Sequence, residues 1–211
     1  QTTVTYTPWT SATRQVVVGW DAATAATGAY PYTLTVRAVT STDSSSSSVS
    51  GLLYVVNRSA SQYGIGWEWL GVERLVLNQP VGSGLANLLW VDGDGSSKLY
   101  HQLNSTTWVA PSEAYRDTIK LASGEYTRTL EHGVQVVFDS TGRHIRTVNR
   151  QGQTTTFYWA SATRLDSVLV PPASHAKSFV MLYDISDCLD SVVVGSRSVG
   201  VAVVSPRALT Q

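Results

Sequence analysis

A single stretch decides the fold: Phe138-Asp139-Ser140-Thr141-Gly142-Arg143-His144-Ile145. An aromatic residue ends one strand here, Asp139 and Gly142 supply a turn, and the returning strand begins at Arg143. Asp and Gly suit such a turn because Asp bonds its own backbone and Gly accepts a positive φ angle. The stretch therefore predicts a β-hairpin.

The same pattern returns twice in weaker form, at residues 158–165 and 183–189. The copies start 20 and then 25 residues after the preceding one, and Leu-Asp-Ser-Val recurs at 165–168 and 189–192. The second copy lacks Asp and Gly, and the third lacks the Gly-Arg pair. One hairpin cannot bury an apolar face alone, so the repetition predicts stacked hairpins.

The repeat also predicts a shared set of turn and core positions. We expect the three aromatic residues to occupy equivalent places on successive hairpins, with Gly142 and Gly152 at turns. The predicted set is Phe138, Asp139, Gly142, Arg143, Tyr158, Leu165, Tyr183, Asp184 and Leu189.

This pattern resembles the rearrangement-hotspot (Rhs) or YD-repeat family. The resemblance extends upstream through the string Gly64-Ile65-Gly66-Trp67, and covers roughly residues 57–196. It implies hairpins that wind into a large hollow β-shell, as in bacterial toxins, insecticidal toxin complexes and animal teneurins. Such shells enclose a toxin or present a surface for cell adhesion.

Composition favours β-structure and excludes some partners. The chain has 211 residues, of which only 14% are charged, and its formal net charge is zero. No long-range field therefore attracts nucleic acid, and no segment is apolar enough to cross a membrane. The single cysteine, Cys188, cannot form an internal disulfide, and we expect it to pack. Abundant Ser and Thr with few Lys favour an extracellular or cell-surface location.

Residues 1–56 predict a small antiparallel sandwich, with strands at 16–20 and 28–36. Their Trp-Asp, small-residue loop and Gly-x-Tyr-x-Tyr order resembles the immunoglobulin-like modules of bacterial surface proteins. Residues 41–50, with seven serines, form either a flexible linker or a long hairpin loop. We favour the loop, with residues 49–56 pairing back on 32–39. The predicted domains are thus 1–56 and a repeat region at 57–211.

The acidic string Asp92-Gly93-Asp94-Gly95 predicts a tight turn between two strands. An EF-hand counted from Asp92 needs Gly and Glu where the chain has Ser97 and Leu103. A loosely bound structural cation at Asp92 and Asp94 is the alternative. We predict no zinc site, because no two histidines share a ligand spacing, and we predict no cofactor. His101, His132, His144 and His175 are all expected at the surface or in turns.

Catalytic carboxylates are the strongest enzyme candidate. Residues 66–77 indicate a strand, in which Glu68 would face away from Glu73, so the two would not share a substrate. We expect Trp67 to be a core aromatic. His144, Arg146 and Arg150 predict a short basic stripe on one solvated strand face.

The last strand, residues 198–204, is apolar and has no hairpin mate left in the pattern. Such an edge needs a partner, so we expect assembly by strand addition through Val199, Val201, Val203 and Val204. The sequence favours a non-enzymatic, extracellular, self-assembling β-repeat subunit that builds a filament or wall. A section of a larger Rhs-type shell that encloses a toxin, and a cell-surface carbohydrate-binding or adhesion module, are the alternatives. The expected partners are further copies of the chain or the rest of a longer Rhs protein.

Overall fold

The computed structural model describes residues 5, 17–81, 86–111, 117–171, 177–196 and 201–204. These ranges contain fifteen β-strands and no helix, so the predicted all-β class is confirmed. The strands are β1 (Gly28–Val39), β2 (Ser44–Val55), β3 (Arg74–Pro80), β4 (Ala86–Val91), β5 (Ser97–Asn104), β6 (Thr107–Val109), β7 (Thr118–Ala122), β8 (Glu125–Thr129), β9 (Gln135–Phe138), β10 (His144–Val148), β11 (Thr154–Trp159), β12 (Leu165–Val170), β13 (Lys177–Tyr183), β14 (Leu189–Ser196) and β15 (Val201–Val204).

Two sheets contain all of these strands. β1 and β2 form a two-stranded sheet, and β3 to β15 form a thirteen-stranded sheet. Each inner strand of the larger sheet pairs with the strands that precede and follow it in the chain, and every pairing is antiparallel. The larger sheet is therefore a continuous strip of hairpins.

Six of the connecting turns share one hydrogen-bond pattern. The first residue of each turn donates its N–H to the carbonyl of the fifth, as Asp139 does to Arg143 at 2.9 Å. In five of them, the fourth residue donates back to the first and has a positive φ angle. The six turns begin at Asp92, Leu130, Asp139, Asn149, Ala160 and Asp184. The predicted turn positions of Gly142 and Gly152, and the turn at Asp92, are confirmed.

The third copy keeps this turn although its glycine is lost. Asp187 replaces the glycine with a φ angle of 63°, a conformation that Asp tolerates better than most residues. Asp184 Oδ1 accepts hydrogen bonds from the N–H groups of Ser186 and Cys188, at 2.8 and 2.9 Å. The carboxylate of the first turn position thus stabilises the turn when glycine is absent.

The predicted equivalence of Tyr158 is wrong by one residue. The residues directly before the three turns are Phe138, Trp159 and Tyr183. Because neighbouring strand residues face opposite sides, the shift places Tyr158 on the outer face, where it is 49% exposed, whereas Phe138 is fully buried. Arg143 and Arg164 are each the fifth residue of their turn, so aligning these arginines gives the correct register and matches Trp159 with Phe138.

The amino-terminal region differs from the predicted sandwich. In the described part of residues 1–56, one two-stranded sheet forms, and residues 17–20 are not a strand. The serine run belongs to β2, and its partners run from Val39↔Ser44 to Gly28↔Val55. Both the linker and the long loop are therefore wrong, and residues 49–55 pair with 28–34 instead of 32–39. Hydroxyl pairs such as Thr35–Ser48, at 2.8 Å, suit this exposed ribbon.

Two further strand predictions change. Residues 66–73 form turns and irregular structure, with Gly66 and Gly71 at positive φ, so the strand begins only at Arg74. β15 pairs with β14, from Val192↔Val204 to Gly195↔Val201, so the prediction that the last strand lacks a hairpin mate is wrong. Val199 lies outside the described residues. Among the described strands, β15 pairs on one side only.

The first half of the strip curls until β3 reaches the β9–β10 turn. In a flat sheet, β3 and β9 would lie roughly 29 Å apart. Here the Leu75 N–H donates to the Gly142 carbonyl at 2.8 Å, and Arg74 forms a β-bridge with Arg143. The enclosed core joins β3 to β7 and β9 through Leu75, Leu88, Trp90, Tyr100, Trp108, Ile119, Val136 and Phe138.

We expect Gly142→Ala to destabilise the protein more than Gly133→Ala. Both glycines have positive φ, which costs about 1 to 2 kcal/mol for alanine. A Cβ on Gly142 would also lie 2.1 Å from the Leu75 carbonyl oxygen, whereas one on Gly133 meets no atom within 4 Å. The clash adds about 1 to 3 kcal/mol, measurable by urea unfolding. Equal losses for the two variants would contradict the close approach of β3.

Candidate functional site

Residues 57–73, the crossing segment, run across the turn ends of the sheet. Arg58 Nη2 donates to the Gly93 carbonyl at 3.0 Å, in the β4–β5 turn. The Leu189 N–H donates to the Gln62 carbonyl at 2.6 Å, at the start of β14. A Cβ on Gly93 would lie 2.0 Å from the Trp69 carbonyl oxygen, so only glycine fits there. The segment therefore ties distant hairpins together.

Aromatic residues of the crossing segment pack differently from the prediction. Tyr63, Trp69 and Val72 cover the second core cluster, which contains Phe157, Leu165, Val168 and Met181. Trp67, predicted as a core residue, is 56% exposed. The predicted strand alternation does not apply to it because residues 66–73 are not a strand. The large buried tryptophans are instead Trp90 and Trp108.

A cavity of about 350 Å³ lies beneath the crossing segment. It is bordered by the residues that precede β1, by the crossing segment, by the end of β4 and by the turns that precede β10 and β12. Its lining includes Asn57, Gln62, Tyr63, Glu68, Arg74 and Trp159. The volume is at the lower end of the range of small-molecule sites, about 300 to 1,000 Å³.

Glu68 and Glu73 both border this cavity. The prediction that they point to opposite faces of one strand is wrong, because residues 66–73 are not a strand. Their carboxylates nevertheless have different partners. Glu68 Oε1 lies 3.8 Å from Arg74 Nη2, whereas Glu73 Oε2 accepts hydrogen bonds from Trp90 Nε1 at 2.6 Å and from Arg128 Nη1 at 3.0 Å. Glu73 is thus part of a buried ion network.

Arg128 is the centre of that network. Its Nη2 donates to Asp117 Oδ2 at 2.6 Å, its Nε donates to the Tyr100 hydroxyl at 3.0 Å, and its guanidinium lies 4.3 Å from the Trp90 ring centre. Arg128 is only 5% exposed, so each of its partners compensates for lost hydration. Sequence reasoning missed Arg128, although it shares the inward face of β8 with Tyr126.

Burial and hydrogen bonding act in opposite directions on the pKa values of the carboxyl groups in this network. Burial raises the pKa of Glu73, while Arg128 and the Trp90 indole act in the other direction. Burial also acts to raise the pKa of Asp117, but hydrogen bonds from Arg128 and Tyr100 outweigh it, so the pKa falls. Burial raises the pKa of the Tyr100 phenol. These groups bond to one another, an arrangement that supports packing of the curled sheet.

His144 is a core residue, and the predicted basic stripe is wrong. A β-bulge between His144 and Arg146 breaks the strand alternation. His144 is 1% exposed, with its ring centre 5.7 Å from Phe138 and 4.0 Å from Phe157. It therefore joins the first core to the second. Arg146 instead pairs with Glu125.

The tautomer of His144 follows from its hydrogen bonds. The Glu73 N–H donates to Nδ1 at 3.3 Å, so Nε2 carries the proton and contacts the Thr147 hydroxyl at 2.8 Å. Burial lowers the pKa of this imidazole from 6.5 to about 4. A protonated His144 could not accept the Glu73 N–H at Nδ1, and its charge would be buried among apolar side chains.

The predicted repeat residues serve to link neighbouring turns. Arg143 Nη2 pairs with Asp139 at 2.7 Å, and its Nη1 donates to the Ser161 carbonyl of the next copy at 2.9 Å. Arg164 repeats this step, pairing with Asp187 of the third copy at 2.7 Å. The Tyr183 hydroxyl donates to the carbonyl of the buried Leu165 at 2.6 Å. Asp184 stabilises its own turn, and Leu189 packs on the second core.

Comparisons with known proteins add no assignment: neither the sequence nor the structure matches a protein-family model, a curated protein or a solved structure. Within the described ranges, no three His, Cys, Asp or Glu side chains are grouped so as to hold a metal ion. The described residues also include no helix of the length and apolarity that a membrane span requires.

We expect the protein to lose stability as the pH falls from about 6.5 towards 4. The unfolded His144 takes up a proton near pH 6.5, whereas the folded one resists it until about pH 4. Stability is thus complete above this window, and roughly 3 kcal/mol is lost across it. Urea unfolding between pH 7.5 and 5.5 measures the slope above the usual carboxylate range. His144→Gln should flatten it, while the exposed His132→Gln should not; an unchanged slope in His144→Gln would refute this role.

Proposed function

We propose that this chain is a non-enzymatic, extracellular structural protein whose hairpin strip forms a section of an Rhs-type β-shell wall. One observation carries the proposal: six turns of the strip repeat one hydrogen-bond pattern, and Arg143 and Arg164 each bond one copy of the repeat to the next copy. Such a strip extends by adding hairpins, because each unit contacts mainly its neighbours. The Rhs resemblance, read from the turn motifs alone, agrees with this architecture.

The two edges of the strip favour extension at one end. At the other edge, Arg74 and Leu75 at the start of β3 contact the β9–β10 turn. β15 has β14 on one side and no described strand on the other, and its four residues, Val201–Val204, carry no charge. An uncharged open edge invites a further strand. In a shell wall, the next hairpin of the same strip would cover it.

The buried charges support a structural role over a catalytic one. The Glu73 carboxylate is bonded to Arg128 and Trp90, and the Asp117 carboxylate is bonded to Arg128 and Tyr100. A general base needs a proton of the substrate within hydrogen-bond reach, but Glu73 Oε2 and Asp117 Oδ2 already accept hydrogen bonds from side chains of the protein. The network stabilises the curl that gives the wall its curvature.

Duplication of a hairpin tests the wall proposal. We expect a chain with a second copy of residues 177–200, inserted between positions 200 and 201, to fold as a monomer with a larger β-sheet. The added pair of strands preserves the direction of β15. Circular dichroism, light scattering and hydrogen exchange measure the outcome. The control chain carries Asp184→Val and Asp187→Val in the inserted copy only. These changes remove the turn carboxylate and the residue with the left-handed conformation. The inserted strands should then show no protection from hydrogen exchange. Misfolding of the intact duplicate would contradict modular extension.

Self-assembly is the second candidate, favoured by β15, which has no described strand on its outer side. Pairing of β15 with β15 would join two copies of the chain about a twofold axis, which gives a closed dimer instead of a filament. We expect Val201→Asp to abolish such a dimer, since a charge on an edge strand opposes pairing, and Val201→Thr to retain it. Light scattering at high concentration decides: a monomeric wild-type chain excludes this candidate, and filaments would contradict the twofold pairing of β15.

A further inference from the structure

The two sides of the β1–β2 ribbon differ in chemistry. The strand register and the alternation of side chains place five large side chains on one side, here called the apolar face: Tyr32, Leu34, Val36, Val49 and Leu53. These side chains are 41–64% exposed, and no charged residue of the ribbon shares their side. The other side carries hydroxyl pairs such as Thr33–Ser50, at 2.9 Å. A sheet with one apolar and one polar side normally buries the apolar one.

We propose that the apolar face is the docking surface for the chain's own amino-terminal segment, residues 1–16. The inference does not depend on the wall proposal. A two-stranded ribbon is at best marginally stable in water, and it gains stability when a further element packs on its apolar side. The described part of the chain leaves this side of the ribbon exposed.

The chain reaches the ribbon at the start of the apolar face. Trp20 packs against Tyr30 with ring centres 5.3 Å apart, and Tyr30 lies on the same side of β1 as Tyr32. From there the apolar face runs roughly 20 Å along the ribbon to Val36. Residues 1–16, fully extended, reach about 50 Å, so they can span the face even after a turn. Elements that are consecutive in the chain are usually neighbours in space.

The size of the apolar face favours an occupant from the same chain over a second copy. Two strands, together roughly 10 Å wide and 20 Å long, offer about 200 Å². A standard interface between separate proteins buries about 800 Å² on each partner, so this face alone is too small to hold a dimer. A tethered segment has an effective concentration in the millimolar range, so a small contact is sufficient.

The sequence of the segment suits this face. Residues 3–7, Thr-Val-Thr-Tyr-Thr, alternate hydroxyl and apolar side chains, the pattern of a strand with one buried side. Val4 and Tyr6 would then pack on the ribbon, while the threonines face solvent. Thr5, the one residue of the segment that the structure describes, is exposed. Arg14 carries the only charged side chain of the segment, so docking of residues 3–7 buries no charge.

A spin label on the segment tests its position in the full chain. In a Cys188→Ser background, which removes the single native thiol, Thr2→Cys carries a nitroxide. We expect the label to broaden the amide NMR signals of β1 and β2 near Leu34 and Val49, and the same sample with its label reduced is the control. A mixture of spin-labelled chain with isotope-labelled chain reports contacts between copies, and should show no broadening of these signals.

Paired substitutions test whether the contact is apolar. Val4→Asp combined with Tyr6→Asp should speed hydrogen exchange of the paired amides of β1 and β2 about tenfold, because apolar burial on the ribbon is lost. The matched control, Thr3→Asp combined with Thr5→Asp, adds the same charge on the solvent side and should change these rates less than about twofold. Equal effects of the two pairs, no effect of either, no broadening within one chain, or broadening only between copies would overturn the proposal.

Discussion

One backbone contact closes the first half of the sheet: the Leu75 N–H donates to the Gly142 carbonyl. It joins strands that would lie far apart in a flat strip, and it forces the core residues of the intervening strands to face one another. The same approach explains why position 142 must be glycine, since a side chain there would meet the Leu75 backbone. The closure of the sheet, the packing of its core and the need for glycine at position 142 thus all depend on this contact.

The closure also explains why charged residues occur inside the protein. Once β3 and β9 meet, Glu73 comes within reach of Arg128 on β8 and of Trp90 on β4. Burying one of these charges alone would cost several kcal/mol, so the ions are retained as a bonded set. His144 extends this arrangement by linking the curled half to the second core. The neutral His144 ring therefore packs against Phe138 in the first core and against Phe157 in the second core.

The sequence contains the hairpins but not their curvature. Turn chemistry is local, so Asp139, Gly142 and Gly152 predict their turns correctly. The curl depends on contacts between residues some seventy positions apart, such as Glu73 with His144, which no local pattern encodes. The same limit explains His144: a bulge of one residue moved it from an assumed surface stripe into the core. The serine run was predicted as a loop or linker because serine is common in both. It forms a strand instead, because its hydroxyl groups pair with threonines of the neighbouring strand in an exposed ribbon.

The exchange rate of the Leu75 amide tests the closure most directly. This N–H has its partner in the β9–β10 turn, so its protection reports the approach of β3 to that turn. Native-state hydrogen exchange by NMR should find it as slow as the amides of Val136 and Val137 in the core strand β9. Exchange as fast as that of Thr35 in the exposed β1–β2 ribbon would contradict the closed sheet.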